Sequence, residues 1–139
     1  MKKRSVGRVL TVLMCWVLLT TGLAWGQDAS VKSMPPSVVK TVPQSGDTAV
    51  DATATKQITV TFSKDMMDGS WSWSNVSKET TPEIVGKPKY LDDKRTCVVE
   101  VKLQPKKTYI LWLNSQKFGN FKDSAGNTAV PYLLVFQTK

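Results

Sequence analysis

The sequence contains no histidine and only two cysteines, which narrows the chemistry open to it. Without histidine there is no Ser/His/Asp or Cys/His catalytic arrangement and no ordinary zinc site. Cys15 lies in an N-terminal apolar run, so removal of that run leaves Cys97 without a disulfide partner. Cys97 alternates with Val99 and Val101, a pattern typical of a buried, inert thiol. We therefore expect neither a metal ion nor a cofactor.

Residues 1–26 have the pattern of a secretory signal peptide. Four basic residues lie within the first eight positions, ahead of an apolar run at 9–25 that ends in the small-x-small pattern Ala-Trp-Gly at 24–26. The run is at the short edge of the roughly 20 residues that span a bilayer, and no second run follows, so we predict no transmembrane helix in the mature chain. Residues 27–34 are expected to be an extended segment and residues 35–139 a single domain.

Export would remove four of the nineteen basic residues and none of the eleven acidic ones, which leaves a net charge of +4. This is an ordinary charge for solubility, and the lysines are scattered between strands instead of clustering. We therefore expect a monomer that does not bind nucleic acid. The expected partner is an unknown protein or a cell-envelope polymer, and the expected location is periplasmic, envelope-associated or extracellular.

Apolar residues recur at every second position between short turn signals, which predicts β-strands. In the first clear case Ile58, Val60 and Phe62 point to one face and Thr59 and Thr61 to the other, as in a half-buried antiparallel strand. The clearest segments are 57–63, 95–103, 108–114 and 130–138. No segment shows a sustained helical period. We therefore predict an all-β fold.

The spacing of the turn signals refines this prediction. About seven short strands in about 100 residues are typical of an Ig-like antiparallel β-sandwich. Leu103, Pro105 and Tyr109 stand at the entry to a strand in the arrangement of a tyrosine corner. In such a corner the Tyr109 hydroxyl bonds to a backbone group a few residues upstream and stabilises the crossover between the two sheets.

Four segments carry a resemblance to a known family. They are the long stretch at 35–66 that ends in ITVTFSKDM, LQPKKTYILWL at 103–113, FKDSAGN at 121–127 and VFQT at 135–138. Together they resemble the bacterial Ig-like domain of the S-layer-protein (SbsA) type, and the Asp-x-x-Gly-Asn motif within FKDSAGN is the most specific part. The resemblance covers residues 35–138. It implies a secreted or envelope-exposed sandwich without catalytic residues.

The stretch SKDMMDGSWSWSN, residues 63–75, combines two acidic residues with a glycine and two tryptophans. Asp65 and Asp68 are three positions apart and do not match the ligand spacing of an EF-hand loop. We therefore interpret KDMMDG as a turn and assign no metal ligand. A looser calcium site that includes Asp47 or Asp123 stays open.

Trp71 and Trp73 share one face of the strand that follows this turn. If that face is inward, one of them occupies the place of the tryptophan that Ig sandwiches carry on the third strand. If it is outward, the two rings form a platform about 7 Å apart on which a sugar or peptide can lie. Trp112 shares a face with Ile110, opposite Tyr109, and is the better candidate for an exposed aromatic.

Three classes of function follow from these features. The first is a non-catalytic Ig-like module that contacts a protein or the envelope, for instance through an edge strand. The second is a carbohydrate-binding module that uses Trp71, Trp73 and Trp112. The third is an enzyme whose carboxylates are Asp65 or Asp68 with Glu83, which requires a defined separation between two acids.

Replacing Tyr109 with Phe tests the predicted corner. The variant should be less stable by roughly 0.5 to 1.5 kcal/mol, because it loses one hydrogen bond between a side chain and the backbone. The measurement is the urea midpoint followed by circular dichroism. An unchanged midpoint would argue against the corner.

Overall fold

The part of the chain that the structure describes contains seven β-strands in two antiparallel sheets. The computed structural model describes residues 29–139, so the predicted signal peptide at 1–26 lies outside the described residues. Within that part, no helix has the length and apolar character needed to cross a membrane. The strands are β1 (Val38–Val42), β2 (Gln57–Phe62), β3 (Trp73–Asn75), β4 (Glu83–Tyr90), β5 (Thr96–Lys102), β6 (Thr108–Leu113) and β7 (Tyr132–Gln137).

The strand order confirms the predicted sandwich. One sheet has the order β1-β2-β5-β4, and the other has the order β3-β6-β7. Neighbouring strands pair antiparallel throughout. This is the strand order of constant-type immunoglobulin domains, in which the first, second, fifth and fourth strands face the third, sixth and seventh. β3 and β4 are therefore edge strands of opposite sheets.

One lateral side of the sandwich is closed by backbone hydrogen bonds. The chain after β1 runs along β7, where Gly46 N–H donates to Val135 O at 2.7 Å and Val50 N–H donates to Gln137 O at 3.1 Å. Gln137 N–H donates in turn to Asp47 O at 2.7 Å. On the other side, no backbone hydrogen bond joins β3 to β4 within residues 29–139. The two sides of the sandwich therefore differ.

The core consists of the inward-facing residues that the alternating pattern predicted. Ile58, Val60 and Phe62 of β2 are at most 1% exposed. Burying a large apolar side chain of this kind contributes about 1.5–3 kcal/mol. Two clusters of buried residues fill the space between the sheets, the first around Leu111 and the second around Phe121. Packing between sheets therefore accounts for the alternation in the sequence.

Tyr109 lies at the start of β6 with its ring buried and 1% exposed. Its hydroxyl oxygen accepts a hydrogen bond from the backbone N–H of Gln104 at 2.7 Å. Leu103 packs against the same core cluster as the tyrosine ring. The hydroxyl of Thr138 donates to Gln104 O at 2.7 Å and accepts from Lys107 N–H at 2.9 Å. These contacts tie the turn before β6 to the end of the chain, and the effect of Tyr109 on stability stays a prediction.

Replacing Tyr90 with Phe removes the same hydroxyl group as Tyr109→Phe, but at a position where that group has no hydrogen bond. The Tyr90 hydroxyl is buried without a hydrogen-bond partner among residues 29–139, and burial raises the pKa of this phenol. Removing an unsatisfied buried hydroxyl should leave stability unchanged or raise it by up to about 1 kcal/mol. A loss as large as that expected for Tyr109→Phe, measured by the same urea titration, would contradict this account.

Candidate functional site

The open side of the sandwich forms a groove between the edges of β3 and β4. Ile84 of β4 is the cross-strand partner of Val101, which is buried, so its side chain is directed to the interior. Ile84 is nevertheless 39% exposed, because no part of residues 29–139 covers the interior along this side. The groove has a volume of about 590 Å³ and is lined by Trp71, Ser72, Trp73, Ser74, Asn75, Ile84, Pro88 and Phe118.

β3 contributes three of the eight lining residues, and among residues 29–139 only one of its edges is paired. Asn114 N–H donates to Ser72 O at 3.0 Å, and Ser74 lies opposite β6 in the same ladder. Hydrogen-bonded pairs alternate along an antiparallel ladder, so the backbone groups of Trp73 and Asn75 point to the free edge. The groove therefore has unpaired backbone as well as aromatic rings along one wall.

The side chain of Trp73 links the groove to the core. Its ring packs edge-to-face on Phe121 with 5.7 Å between centroids, and it contacts both core clusters. This is the position of the third-strand tryptophan of Ig sandwiches. Burial raises the pKa of the Cys97 thiol to about 12, and the indole N–H of Trp73 acts in the opposite direction. Cys97 is therefore a neutral thiol at ordinary pH. Because a neutral thiol is a poor acceptor, the buried Nε1 of Trp73 has no hydrogen-bond partner within the described part.

The three tryptophans named from the sequence do not lie together. Trp71 packs against the second core cluster and lines the groove beside Trp73. Both rings are half-buried, so the pair is neither fully in the core nor a free platform. Trp112 lies on the outer face of the small sheet. A separate pocket of about 770 Å³ there is lined by Trp112, Ser115, Gln116, Lys117 and Pro131.

Phe118 is a groove residue to which the sequence pattern did not point. It is 53% exposed and lies in the loop between β6 and β7. Its backbone N–H donates to Ser115 Oγ at 3.2 Å and its carbonyl accepts from Ser115 N–H at 2.8 Å. Nearby, the buried Asn114 side chain accepts from Phe121 N–H and donates to two backbone carbonyls. The only signal in the sequence was a large apolar residue among loop residues, because loops have no periodicity.

The Asp-x-x-Gly-Asn motif holds the connection that precedes β3. The ammonium of Lys64 lies 3.0 Å from Asp123 Oδ2, and Met67 N–H donates to Lys122 O at 2.8 Å. Met66 of the same connection is buried at 5% exposure. KDMMDG is therefore an ordered connection, and it directs the two tryptophans into the groove.

Lys64 also ties the start of the described chain to the domain. Its ammonium donates to the carbonyls of Lys32 and Met34. Residues 29–34 belong to the segment for which an extended form was expected, and they contain a turn in which Met34 N–H donates to Ser30 O at 2.9 Å. One lysine thus holds three acceptors, two carbonyls and the carboxylate of Asp123.

The carboxylate of Asp123 is fully used inside the protein. Oδ1 accepts from the N–H groups of Ala125 and Asn127 at 3.0 and 2.8 Å, and Oδ2 accepts from Asn127 Nδ2 and Lys64 at 2.9 and 3.0 Å. Burial alone would raise the pKa of Asp123, but the hydrogen bonds from Asn127 and Lys64 outweigh it and hold the pKa below its usual value. Among residues 29–139, no three potential metal-ligating side chains lie together.

The acidic residues considered for catalysis are far apart. Asp65 accepts from Arg95 Nε at 2.7 Å just before β5, and Glu83 accepts from Lys102 Nζ at 2.8 Å at the far end of β5. The seven residues of β5 separate these two pairs by about 20 Å. Asp68 follows Asp65 in the same loop. A pair of glycosidase carboxylates needs a separation of about 5 to 9.5 Å, which neither Asp65 nor Asp68 provides with Glu83.

Comparison with known families decides the classification. The profile of the bacterial Ig-like domain matches residues 32–138. The chain belongs to the bacterial Ig-like domain family. No curated protein matches this Ig-like domain at a significant level. The Asp-x-x-Gly-Asn motif that suggested the family is the part of the domain that holds the connection before β3.

Solved structures similar to this Ig-like domain come from S-layer proteins. The N-terminal part of the bacterial S-layer protein SbsC superposes with a TM-score of 0.51 at 19% identity, covering 78% of this chain and 24% of that chain. Surface layer protein SbsC, domains 1–6, gives a TM-score of 0.49 at 20% identity, covering 76% of this chain and 14% of that chain. The chain spans only a small part of these proteins, and at this identity the likeness concerns the fold alone.

Replacing Asp123 with Asn should destabilise the domain by about 3 kcal/mol at pH 7, because Lys64 keeps its charge in a largely buried place without a counter-charge. The side chain of Lys64 is 13% exposed. Since folding lowers the pKa of Asp123, its contribution is complete above the unfolded value of 3.8 and is lost as the pH falls through the folded value. The gap between the urea midpoints of wild type and variant should therefore shrink below pH 3.8.

Asp65→Asn is the matched control. Both side chains of the ion pair between Asp65 and Arg95 are about half-exposed, so its loss should cost less than about 1 kcal/mol. If Asp123→Asn and Asp65→Asn unfold at the same urea concentration at pH 7, the buried ion pair of Lys64 with Asp123 contributes no more to stability than an exposed one.

Proposed function

We propose that this protein is a non-catalytic, exported Ig-like module that binds a glycan of the bacterial cell envelope in the groove between β3 and β4. The single observation that carries the proposal is the aromatic lining of that groove, to which Trp71, Trp73 and Phe118 all contribute on the open side of the sandwich. The envelope location is supported by the similar structures, which belong to a bacterial S-layer protein.

The composition of the groove suits sugar rings. Ligand sites combine aromatic and apolar surface with a few polar groups that fix orientation. Here Trp71 and Trp73 are about 7 Å apart along an extended chain, and Ser74 and Asn75 add a hydroxyl and an amide to the lining. Indole and phenyl faces provide flat apolar surface for the C–H faces of sugars, while the polar groups meet sugar hydroxyls.

A protein segment that adds to the free edge of β3 is the second candidate. The unpaired backbone of Trp73 and Asn75 favours it, because an added strand is held by main-chain hydrogen bonds. The facing edge of β4 disfavours a long added strand. Its register shifts between Val85 and Lys89, and Pro88 has no N–H to donate. Such interruptions protect edges against pairing, so the glycan is the better occupant.

The proposal of a non-catalytic role rests on the residues that are present. The chain has no histidine, its one described cysteine is a buried neutral thiol, and the acidic residues considered above are separated by the length of β5. Family membership is consistent with this, because an Ig-like fold by itself specifies no reaction.

Binding to solubilised cell-wall polysaccharide, measured by isothermal titration calorimetry and tryptophan fluorescence, tests the proposal. Trp71→Ala and Phe118→Ala should each weaken binding about tenfold or more, as expected when an aromatic anchor is removed from a binding site. Trp112→Ala is the matched control, since it removes the same side chain from the outer face of the small sheet and should leave the affinity unchanged.

Urea midpoints of all three variants establish that the fold is retained. Wild-type affinity in both Trp71→Ala and Phe118→Ala would exclude the groove as the binding site. Loss of binding in Trp112→Ala alone would move the site to the outer face of the small sheet. If the wild-type protein binds no wall polysaccharide, the proposed function is wrong.

A further inference from the structure

The groove continues beyond Asn75 toward the start of β6. A second depression of about 400 Å³ begins where the first ends, and Asn75 lines both. On the opposite wall, Ile84 lines the first depression and its neighbour Glu83 lines the second. An extended chain from Trp71 to Asn75 spans about 13 Å, and the second depression continues beyond Asn75. The two depressions therefore form one path that is long enough for several sugar residues.

The second part of this path is lined by lysines where the first is lined by aromatic rings. Its charged residues are Lys78, Lys102, Lys107 and Glu83. Lys102 and Glu83 form an ion pair of 2.8 Å in which both side chains are more than 60% exposed, so their charges largely offset each other. Lys78 forms no ion pair within residues 29–139. The free positive charge of this end is that of Lys78 and Lys107.

Lys107 is positioned by its neighbours and does not simply extend into solvent. Its ammonium lies 5.6 Å from the centroid of the Tyr109 ring and 3.5 Å from Gln104 Oε1. The nearby carboxylate of Glu79 is outside the lining, and its pKa is lowered first by a hydrogen bond with its own backbone and only last by Lys107. Lys107 and Lys78 are therefore available to an anion that lies in the path.

We infer that the occupant of the groove is an anionic glycan. Its sugar rings contact Trp71, Trp73 and Phe118, and its carboxylate or phosphate groups are bound by Lys78 and Lys107. This inference rests on the proposed function and adds the charge of the ligand to it. A neutral glycan would use the aromatic end alone, and an acidic peptide would use the lysine end alone. A glycan with negative charge matches both ends.

Charge complementarity of this kind is sensitive to salt. Exposed ammonium groups attract anions over a Debye length of about 10 Å at 0.1 M salt, and the attraction weakens as salt rises. The contribution of the aromatic rings depends much less on ionic strength, since it comes from apolar contact. The two ends of the path can therefore be separated by experiment.

The experiment compares four polymers at 50 mM and 500 mM salt by isothermal titration calorimetry with the purified protein. They are a uronate-containing wall polysaccharide, the same polysaccharide after carboxyl reduction, a phosphodiester-containing wall polysaccharide and poly-L-glutamate. At low salt, at least one of the two charged glycans should bind about tenfold more tightly than the carboxyl-reduced one. Which of them binds more tightly distinguishes carboxylate from phosphate as the recognised group.

A paired substitution isolates the lysines. Lys78→Gln combined with Lys107→Gln should bring the affinity for the charged glycan down to that of the neutral derivative, a loss of about tenfold, and leave the neutral derivative's own affinity unchanged. Lys40→Gln combined with Lys56→Gln is the control, because Lys40 lies on β1 at the far edge of the large sheet and Lys56 precedes β2. This control should bind like wild type.

The outcomes distinguish a failure of the anionic preference from a failure of the glycan site itself. If all three glycans bind equally and Trp71→Ala weakens all of them, the glycan site stands and the anionic preference is wrong. If poly-L-glutamate binds as tightly as the charged glycans, charge alone is recognised and the inference is wrong. If no glycan binds, the proposed function and the inference are both wrong.

Discussion

The packing of Trp73 between the two sheets is the contact on which the open side of the structure depends. β3 has only three residues and pairs with β6 alone, so few backbone hydrogen bonds hold it. The half-buried indole of Trp73 instead contacts both core clusters, and its apolar contact stabilises in proportion to the area removed from water. The packing of this side chain, more than the backbone hydrogen bonds to β6, keeps β3 in place beside the groove.

This arrangement makes the two lateral sides of the sandwich unequal. On the side of β1 and β7, backbone groups of residues 46–50 are bonded to β7 and close the interior. On the side of β3 and β4, no backbone hydrogen bond joins the two strands among residues 29–139, and aromatic rings line the groove between them. A site for an extended ligand therefore forms on the side where the fold is least covered, while the closed side supplies stability.

The clamp formed by Lys64 and Asp123 connects these features. It holds the connection that leads to Trp71 and Trp73, and the same lysine binds two carbonyls near the start of the described chain. Because the charges are largely buried and fully hydrogen-bonded, the pair specifies one arrangement of the loops in place of several. The family motif is thus explained by its role in positioning a neighbouring strand.

Much of the fold could be predicted from the sequence because strand alternation and turn chemistry depend on residues close together in the chain. Period-two alternation placed Ile58, Val60 and Phe62 in the core, and all three are buried. The spacing from Leu103 to Tyr109 suggested a hydrogen bond from the Tyr109 hydroxyl to backbone a few residues upstream, and Tyr109 accepts one from Gln104 N–H. Such features depend on the geometry of single strands and short loops, and residues close in sequence determine both.

The candidate site was predicted only in part. Alternation indicated that Trp71 and Trp73 share a face, but it does not distinguish a covered face from an uncovered one at the edge of a sheet. Phe118 lies in a loop and carries no pattern at all. Phe118 lines the same groove as Trp71, and Lys78 lines the same depression as Lys107, because the fold brings together chain segments that are distant in sequence.

The sequence by itself therefore determined that this protein is an all-β Ig-like sandwich with a motif-bearing loop, since each of these follows from residues a few positions apart. Only the tertiary structure decided that β3 and β4 border an open groove, that Trp112 faces away from it, and that aromatic rings and lysines follow one another along a single path. The physical reason is that these relations depend on how two sheets meet at their edges, and neither local periodicity nor turn chemistry carries that information.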